Sequence, residues 1–227
     1  MSEPTSQNPS TPSAAEPALF RHVVLLGDVL LEAYSSIDKT PGEFERAVLP
    51  GSRHLWKLSV VSAAEVERAG PALALPRDAT HAMIFIEGNH AIEQSGLLDS
   101  RPGAYGQTLE QLALAADEFE RKLERLIHVA QAARLVIMVC TMFPPNYKDP
   151  LRQRIACTAL AVFNDRVTKR AAAARVALID LRLVCNEPED YDKPTLLSKS
   201  GVQKVANVIR FAMYELDIGA RRSEVFF

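Results

Sequence analysis

Five short apolar runs, at residues 22–26, 58–61, 83–86, 135–139 and 176–180, set the terms for any fold this chain can adopt. Within Val23-Val24-Leu25-Leu26 or Met83-Ile84-Phe85-Ile86 no polar residue alternates with the apolar ones, so a strand built from either has no face suited to water. Strands of that kind are buried on both sides, and a layer of helices on each face lets them lie parallel. The segments between the later runs supply the helices. In 108–134, Leu109, Leu112, Leu114, Phe119, Leu123, Leu126, Ile127 and Ala130 recur mostly at helical spacing, with Glu and Arg between them. In 150–174, Leu151, Ile155, Leu160, Phe163 and Val167 repeat the pattern ahead of an alanine run. The last helix opens at Ser198, whose hydroxyl is a suitable N-cap, and carries Val202, Val205, Ile209 and Met213 inward. The expected fold is α/β, a three-layer α/β/α sandwich with a central parallel sheet of flavodoxin-like type.

With 227 residues, 48% of them hydrophobic, the chain can bury one sizeable core, and 20–227 reads as a single domain. Residues 1–19 are rich in Ser, Thr, Pro, Gln and Glu and hold too little apolar surface to offset the entropy of ordering, so a disordered tail is expected there. That stretch lacks the basic start and apolar centre of a secretory signal. No later run approaches the roughly 18 apolar residues of a membrane span. A cytoplasmic protein without a membrane span is the expectation. The Gly/Pro-rich stretch 96–106 reads as a surface loop.

A net charge of −2 provides no basic field for nucleic acid, and no Lys/Arg stripe is visible. The three cysteines, Cys140, Cys157 and Cys185, are odd in number and lack paired metal spacing, so they read as reduced thiols acting as small core hydrophobes. No cofactor and no metal are called for by any motif.

Parallel sheets of this type hold ligands at the carboxyl ends of their strands, so the residues immediately after each run are the candidates for chemistry. Gly27-Asp28-Val29 comes after the first and Glu87-Gly88-Asn89-His90 after the third, while Thr141-Met142-Phe143-Pro144-Pro145 comes after the fourth. Phe163-Asn164-Asp165-Arg166 lies in the next helix, and Thr195-Leu196-Leu197-Ser198-Lys199-Ser200-Gly201 opens the last one. Taken in this order over residues 20–216, the blocks resemble those of the SGNH (GDSL-type) hydrolase family, whose first block is Gly-Asp-Ser, third Gly-x-Asn-Asp and last His-Leu-Ser-x-x-Gly.

The resemblance implies an ester hydrolase scaffold in which a Ser hydroxyl is activated by a His, with a backbone amide, a Gly amide and an Asn side chain facing the oxyanion. It also implies that both partners of the proton transfer are missing. Val29 stands in the Ser position and Leu196 in the His position, with Lys193 where the orienting Asp would be and Asp192 one residue away. Ser59 or Ser62 replaces the Gly of the second block. Only Asn89 keeps its functional type, and Asp28 keeps a local structural role. Two aliphatic replacements of this kind each remove several kcal/mol of barrier lowering, on the order of what triad residues supply.

Other histidines are poorly placed to compensate. His22, His54 and His81 fall at the start of their strands, about 15 Å from the ligand end at roughly 3.3 Å per residue, and His128 falls late in a helix. His90 alone sits at a carboxyl end, near Glu87 and Glu93. The reading is therefore a degenerate SGNH-like protein, non-catalytic, binding a protein partner or a small acyl or sugar-like ligand through Asp28, Val29, Glu87, Asn89, His90 and Leu196. Two alternatives accompany it: an acylhydrolase with rearranged groups around Asp28, Asn89 and His90, and an RNA-binding SGNH-like domain, which the charge opposes. Arg221-Arg222 followed by Val225-Phe226-Phe227 marks the C-terminus as a segment that docks on a partner, docks on the protein itself, or frays.

Overall fold

The structure is a computed structural model, and it describes residues 21–27, 56–70, 73–86, 92, 97–99, 105–216 and 224–227. In chain order the elements are β1 (Arg21–Gly27), β2 (Trp56–Ser62), α1 (Ala63–Ala69), β3 (His81–Phe85), α2 (Tyr105–Ala132), β4 (Val136–Cys140) and α3 (Pro150–Ala174). They continue with β5 (Ala177–Ile179), β6 (Tyr191–Lys193), β7 (Leu196–Leu197), α4 (Lys199–Glu215) and β8 (Val225–Phe226). Six strands form one parallel sheet in the order β2-β1-β3-β4-β5-β8, and β6 and β7 pair separately as a small antiparallel hairpin. The expected α/β sandwich with a central parallel sheet is present.

β1 sits inside the sheet, and its alternate side chains serve two cores. Val23 and Leu25, with Met83, Met138 and Ile179, pack under Val202, Ile209 and Met213 of α4. Val24 and Leu26, with Ile84 and Val139, pack under Val66 of α1, Leu123 and Leu126 of α2 and Phe163 of α3. Each of these large side chains contributes about 2 kcal/mol on leaving water.

The helix faces are narrower than the periodicity suggests. The inward stripe of α2 runs through Leu112, Ala116, Phe119, Leu123, Leu126 and Ala130, while Leu109 and Leu114 point to solvent. Leu151 of α3 is likewise exposed. α2 also begins at Tyr105, so the end of the stretch read as a surface loop is helical. α3 starts where Asp149 caps it, its carboxylate accepting from the amides of Leu151 at 2.8 Å and Arg152 at 3.2 Å, with Pro150 in the first turn.

The C-terminal residues dock on the protein's own sheet. Leu178 N donates to Glu224 O at 2.7 Å and Asp180 N to Phe226 O at 2.8 Å, extending the sheet beyond β5. Phe226 is buried and meets the Phe211 ring edge-on at 6.1 Å.

At its carboxyl end β1 closes on Gly27, which has φ +139° and faces the backbone of Phe85 in β3 so closely that a Cβ would collide with the Phe85 carbonyl oxygen. β1 is also where the strand order reverses, with β2 on one side and β3 on the other, the place where sheets of this kind form a crevice. Gly27→Ala should lower stability in urea unfolding by about 3 kcal/mol or more, since it adds both backbone strain and a clash that neither strand can relieve.

Candidate functional site

Four elements deliver residues to the carboxyl edge of the sheet. β1 ends at Gly27; Asp28 and Val29 beyond it, and Glu87, Asn89 and His90 after β3, lie outside the described residues. Among the described residues no group of three His, Cys, Asp or Glu side chains is arranged to hold a metal ion.

β2 ends at Ser62, directly opposite Gly27 in the register, whereas Ser59 lies three residues earlier, opposite Val24. Of the two serines, Ser62 is therefore the one at the edge. Its local role is legible: it caps α1 in a reciprocal box with Glu65. The Ser62 hydroxyl accepts from Glu65 N at 3.2 Å, and the Glu65 carboxylate accepts from Ser62 N at 2.8 Å and from the hydroxyl at 2.9 Å. These bonds hold the Glu65 carboxyl below its ordinary value. They also commit the Ser62 amide, so it is not a free donor toward a ligand.

After β4 the chain passes along 141–147, a loop fixed from three directions. Thr141 donates its hydroxyl to Asp180 at 2.9 Å and accepts from Leu181 N at 2.9 Å. Asn164 of α3, almost fully buried, accepts from Met142 N at 2.8 Å and donates to Met142 O at 3.0 Å. Gln153 accepts from Tyr147 N at 2.7 Å and donates to Pro145 O at 2.6 Å. Burial alone would raise the Asp180 carboxyl, but the two-pronged Arg182 guanidinium, at 2.7 and 2.6 Å, and the Thr141 hydroxyl outweigh it and hold the group below its usual value.

The hairpin that carries Leu196 rests on this loop. Asn146 N donates to Pro194 O at 2.7 Å, and the Tyr191 hydroxyl lies 2.7 Å from Pro144 O and from Cys185 O. The rings of Phe85, Phe143 and Tyr191 succeed one another across the edge at centroid separations of 6.5 and 6.0 Å. Leu197 is buried in that cluster and Leu196 is half-buried beside it.

The base of the hairpin is anchored by Asp190, fully buried, which sequence reasoning passed over for its exposed neighbours Asp192 and Lys193. Lys204 of α4 reaches its two oxygens at 2.8 and 2.9 Å, Glu187 N donates to the carboxylate at 3.1 Å, and Ser198 N donates to its carbonyl at 2.8 Å. Ser198 caps α4 as its position suggests, accepting from Gly201 N at 3.3 Å. All three cysteines are free. Burial pushes the thiols of Cys140 and Cys185 up to about 12, as fits core positions rather than reactive ones.

The described imidazoles gather elsewhere. His22, second residue of β1, is wholly buried; its Nε2 lies 2.8 Å from Ser59 Oγ and its Nδ1 2.9 Å from the Asp78 carboxylate. This Ser-His-Asp series has the connectivity of a proton relay, but the sealed imidazole has no open face toward a leaving group, which a general acid must reach. It instead ties the edge strand β2 and the 77–80 turn to β1. His81 opens β3, with Nδ1 2.7 Å from the Thr80 hydroxyl, and burial, aided by the nearby Arg21 charge, lowers it to about 4. His128 is exposed on α2.

The sheet order, the edge blocks and the hairpin ahead of the last helix together define the SGNH-hydrolase fold. Known structures of GDSL-like esterases and lipases share it. A lipase from a goat rumen metagenome superposes with a TM-score of 0.64 at 14% identity, over 86% of this chain and 98% of that one. A GDSL-like lipase from Bacteroides thetaiotaomicron gives 0.58 at 12% identity, over 86% and 88%. The acetylxylan esterase Axe2 from Geobacillus stearothermophilus gives 0.58 at 15% identity, over 88% and 96%. No family model matches the chain, and no curated protein matches it significantly in sequence.

Removing His22 leaves a void in the buried β1 and takes away its contacts with Ser59 and Asp78. His22→Ala should lower unfolding free energy by about 2–3 kcal/mol and Ser59→Ala by about 1, measured by denaturant titration at pH 7. The depressed His81 makes a second, pH-resolved prediction. Its folded value lies below the ordinary 6.5, so its contribution to stability is full above pH 6.5 and erodes as pH falls through about 4. A loss of up to about 3 kcal/mol over that window is expected in the wild type, and His81→Phe should flatten it.

Proposed function

We propose that this chain is an SGNH-type protein that has lost ester hydrolysis and uses its carboxyl edge to bind a small acyl or sugar-like ligand or another protein. The observation that carries the reading is Leu196. It sits on a firmly held hairpin at the sheet's carboxyl edge, in the slot where the resemblance calls for the general base. Among the described residues no imidazole stands near it: five residue steps separate His22 from Gly27, about 16 Å of strand, and His81 lies at the same far end of the sheet. An alkyl side chain neither accepts nor releases a proton. The committed Ser62 amide points the same way, because it takes one expected donor away from a developing oxyanion.

The second reading, an acylhydrolase with rearranged groups around Asp28, Asn89 and His90, draws on the esterase and lipase activities named for the neighbours. One assay separates the two. Pure protein should hydrolyse p-nitrophenyl acetate and butyrate no faster than a heat-denatured control and should take up no fluorophosphonate. Turnover well above that background, abolished by His90→Ala, would replace the binding reading with the hydrolytic one.

A further inference from the structure

A cavity formed by the described residues lies at the opposite, amino edge of the sheet. It is a half-open trough of about 1030 Å³ between α1, the 73–79 segment, the C-terminal half of α2 and the end of α3. Its apolar floor includes Val66, Leu75, Ile127 and Leu135, which belong to or pack against the core beneath. Its charged side chains are one-sided, Arg77, Arg121, Arg125 and Arg170 against the single carboxylate of Glu124, with His128 and Gln131 as the other polar groups. Two of these cations are already neutralised, Arg125 by Glu67 at 3.0 Å and Arg170 by Glu120 at 2.6 Å and by Glu124. Arg121 donates only to the carbonyl of Asp117 in its own helix, at 3.3 Å, and neither it nor Arg77 has a carboxylate within ion-pair distance among the described residues.

We propose that this trough binds a single-chain anionic amphiphile, a free long-chain carboxylate, with its alkyl chain along the apolar floor and its carboxylate on the guanidinium groups that the fold leaves unneutralised. A concave apolar surface with a few convergent polar groups is the common form of a small-molecule site, and a guanidinium matches a carboxylate in both charge and planar geometry. A neutral chain would gain the floor and forgo the charge. A short anion would do the reverse. The ligand the trough selects has both.

Isothermal titration of the full chain with sodium dodecanoate, kept monomeric, should show saturable one-to-one binding, with dodecanol and butyrate at least tenfold weaker. Arg77→Glu/Arg121→Glu should weaken dodecanoate binding at least tenfold while leaving the thermal melting midpoint within a few degrees. Ala132→Trp, which fills the trough without altering its charge, should weaken it as much. A diazirine-bearing fatty acid should crosslink to peptides spanning 73–79 or 127–135. Absent saturation, indifference to both variants, adducts confined to other segments, or binding to phosphatidylglycerol vesicles without binding of the monomer would each overturn the proposal.

Discussion

Burial of β1 on both faces is the constraint on which the rest of the fold depends. Four consecutive side chains, Val23 to Leu26, are essentially inaccessible to water, and they alternate between two cores that would otherwise have no common wall. Both neighbours of the strand in the main sheet run parallel to it, a pairing that needs long crossover connections in place of short hairpins. Helices then have to cover both sides. The parallel arrangement also gives the sheet two chemically distinct ends, because all carboxyl termini of its strands emerge together. Gly27 is the point of closest approach in that frame, and the absence of a side chain there lets β1 and β3 come together at the reversal of strand order.

The two ends have been furnished differently. At the carboxyl edge the described polar groups are spent on backbone and on one another: Asn164 on the Met142 backbone, Thr141 and Arg182 on the Asp180 carboxylate, Lys204 on the Asp190 carboxylate. What they hold in place is largely apolar, the Phe85, Phe143 and Tyr191 rings with Leu197. Buried charges such as Asp190 are tolerable because each is paired and hydrogen-bonded at once. The amino edge carries the buried imidazoles and, above them on one face, a trough rimmed by arginines. Among the described residues, the charged groups of the carboxyl edge are thus paired with one another, while two arginines of the amino-edge trough have no carboxylate partner.

Much of the architecture was legible because it rests on local patterns. Uninterrupted apolar runs mark doubly covered strands, and Ser198 with its glycine three residues on marks the start of α4. What escaped depends on long-range pairing. Val225-Phe226 is too short and too far from β5 for any pattern to declare it a strand; only the open edge of the sheet makes it one. Asp190 looks no different in sequence from Asp192, and its burial comes from Lys204, fourteen residues away on the next helix. Leu109, Leu114 and Leu151 show the converse: they add to the apolar pattern of their helices and yet stand exposed, because the sheet covers only a narrow stripe of each. At the candidate site, Leu196 was readable from its place before Ser198. The partnership of His22 with Ser59 and Asp78 was not, since it requires the register of β1 on β2.

The hairpin is held independently of the side chain that it presents at position 196. Its position is set by Asp190 with Lys204, by the Tyr191 hydroxyl between two carbonyls, and by Asn146 on Pro194, none of which involves the side chain at 196. A residue there is free to change without loosening the scaffold beneath it. Leucine in that slot brings no polar group that needs a partner, as an imidazole would. Stability and catalysis are separable at such a position, and they often pull in opposite directions. Position 196 is therefore one where the sequence can change while the hairpin keeps its place at the end of the sheet.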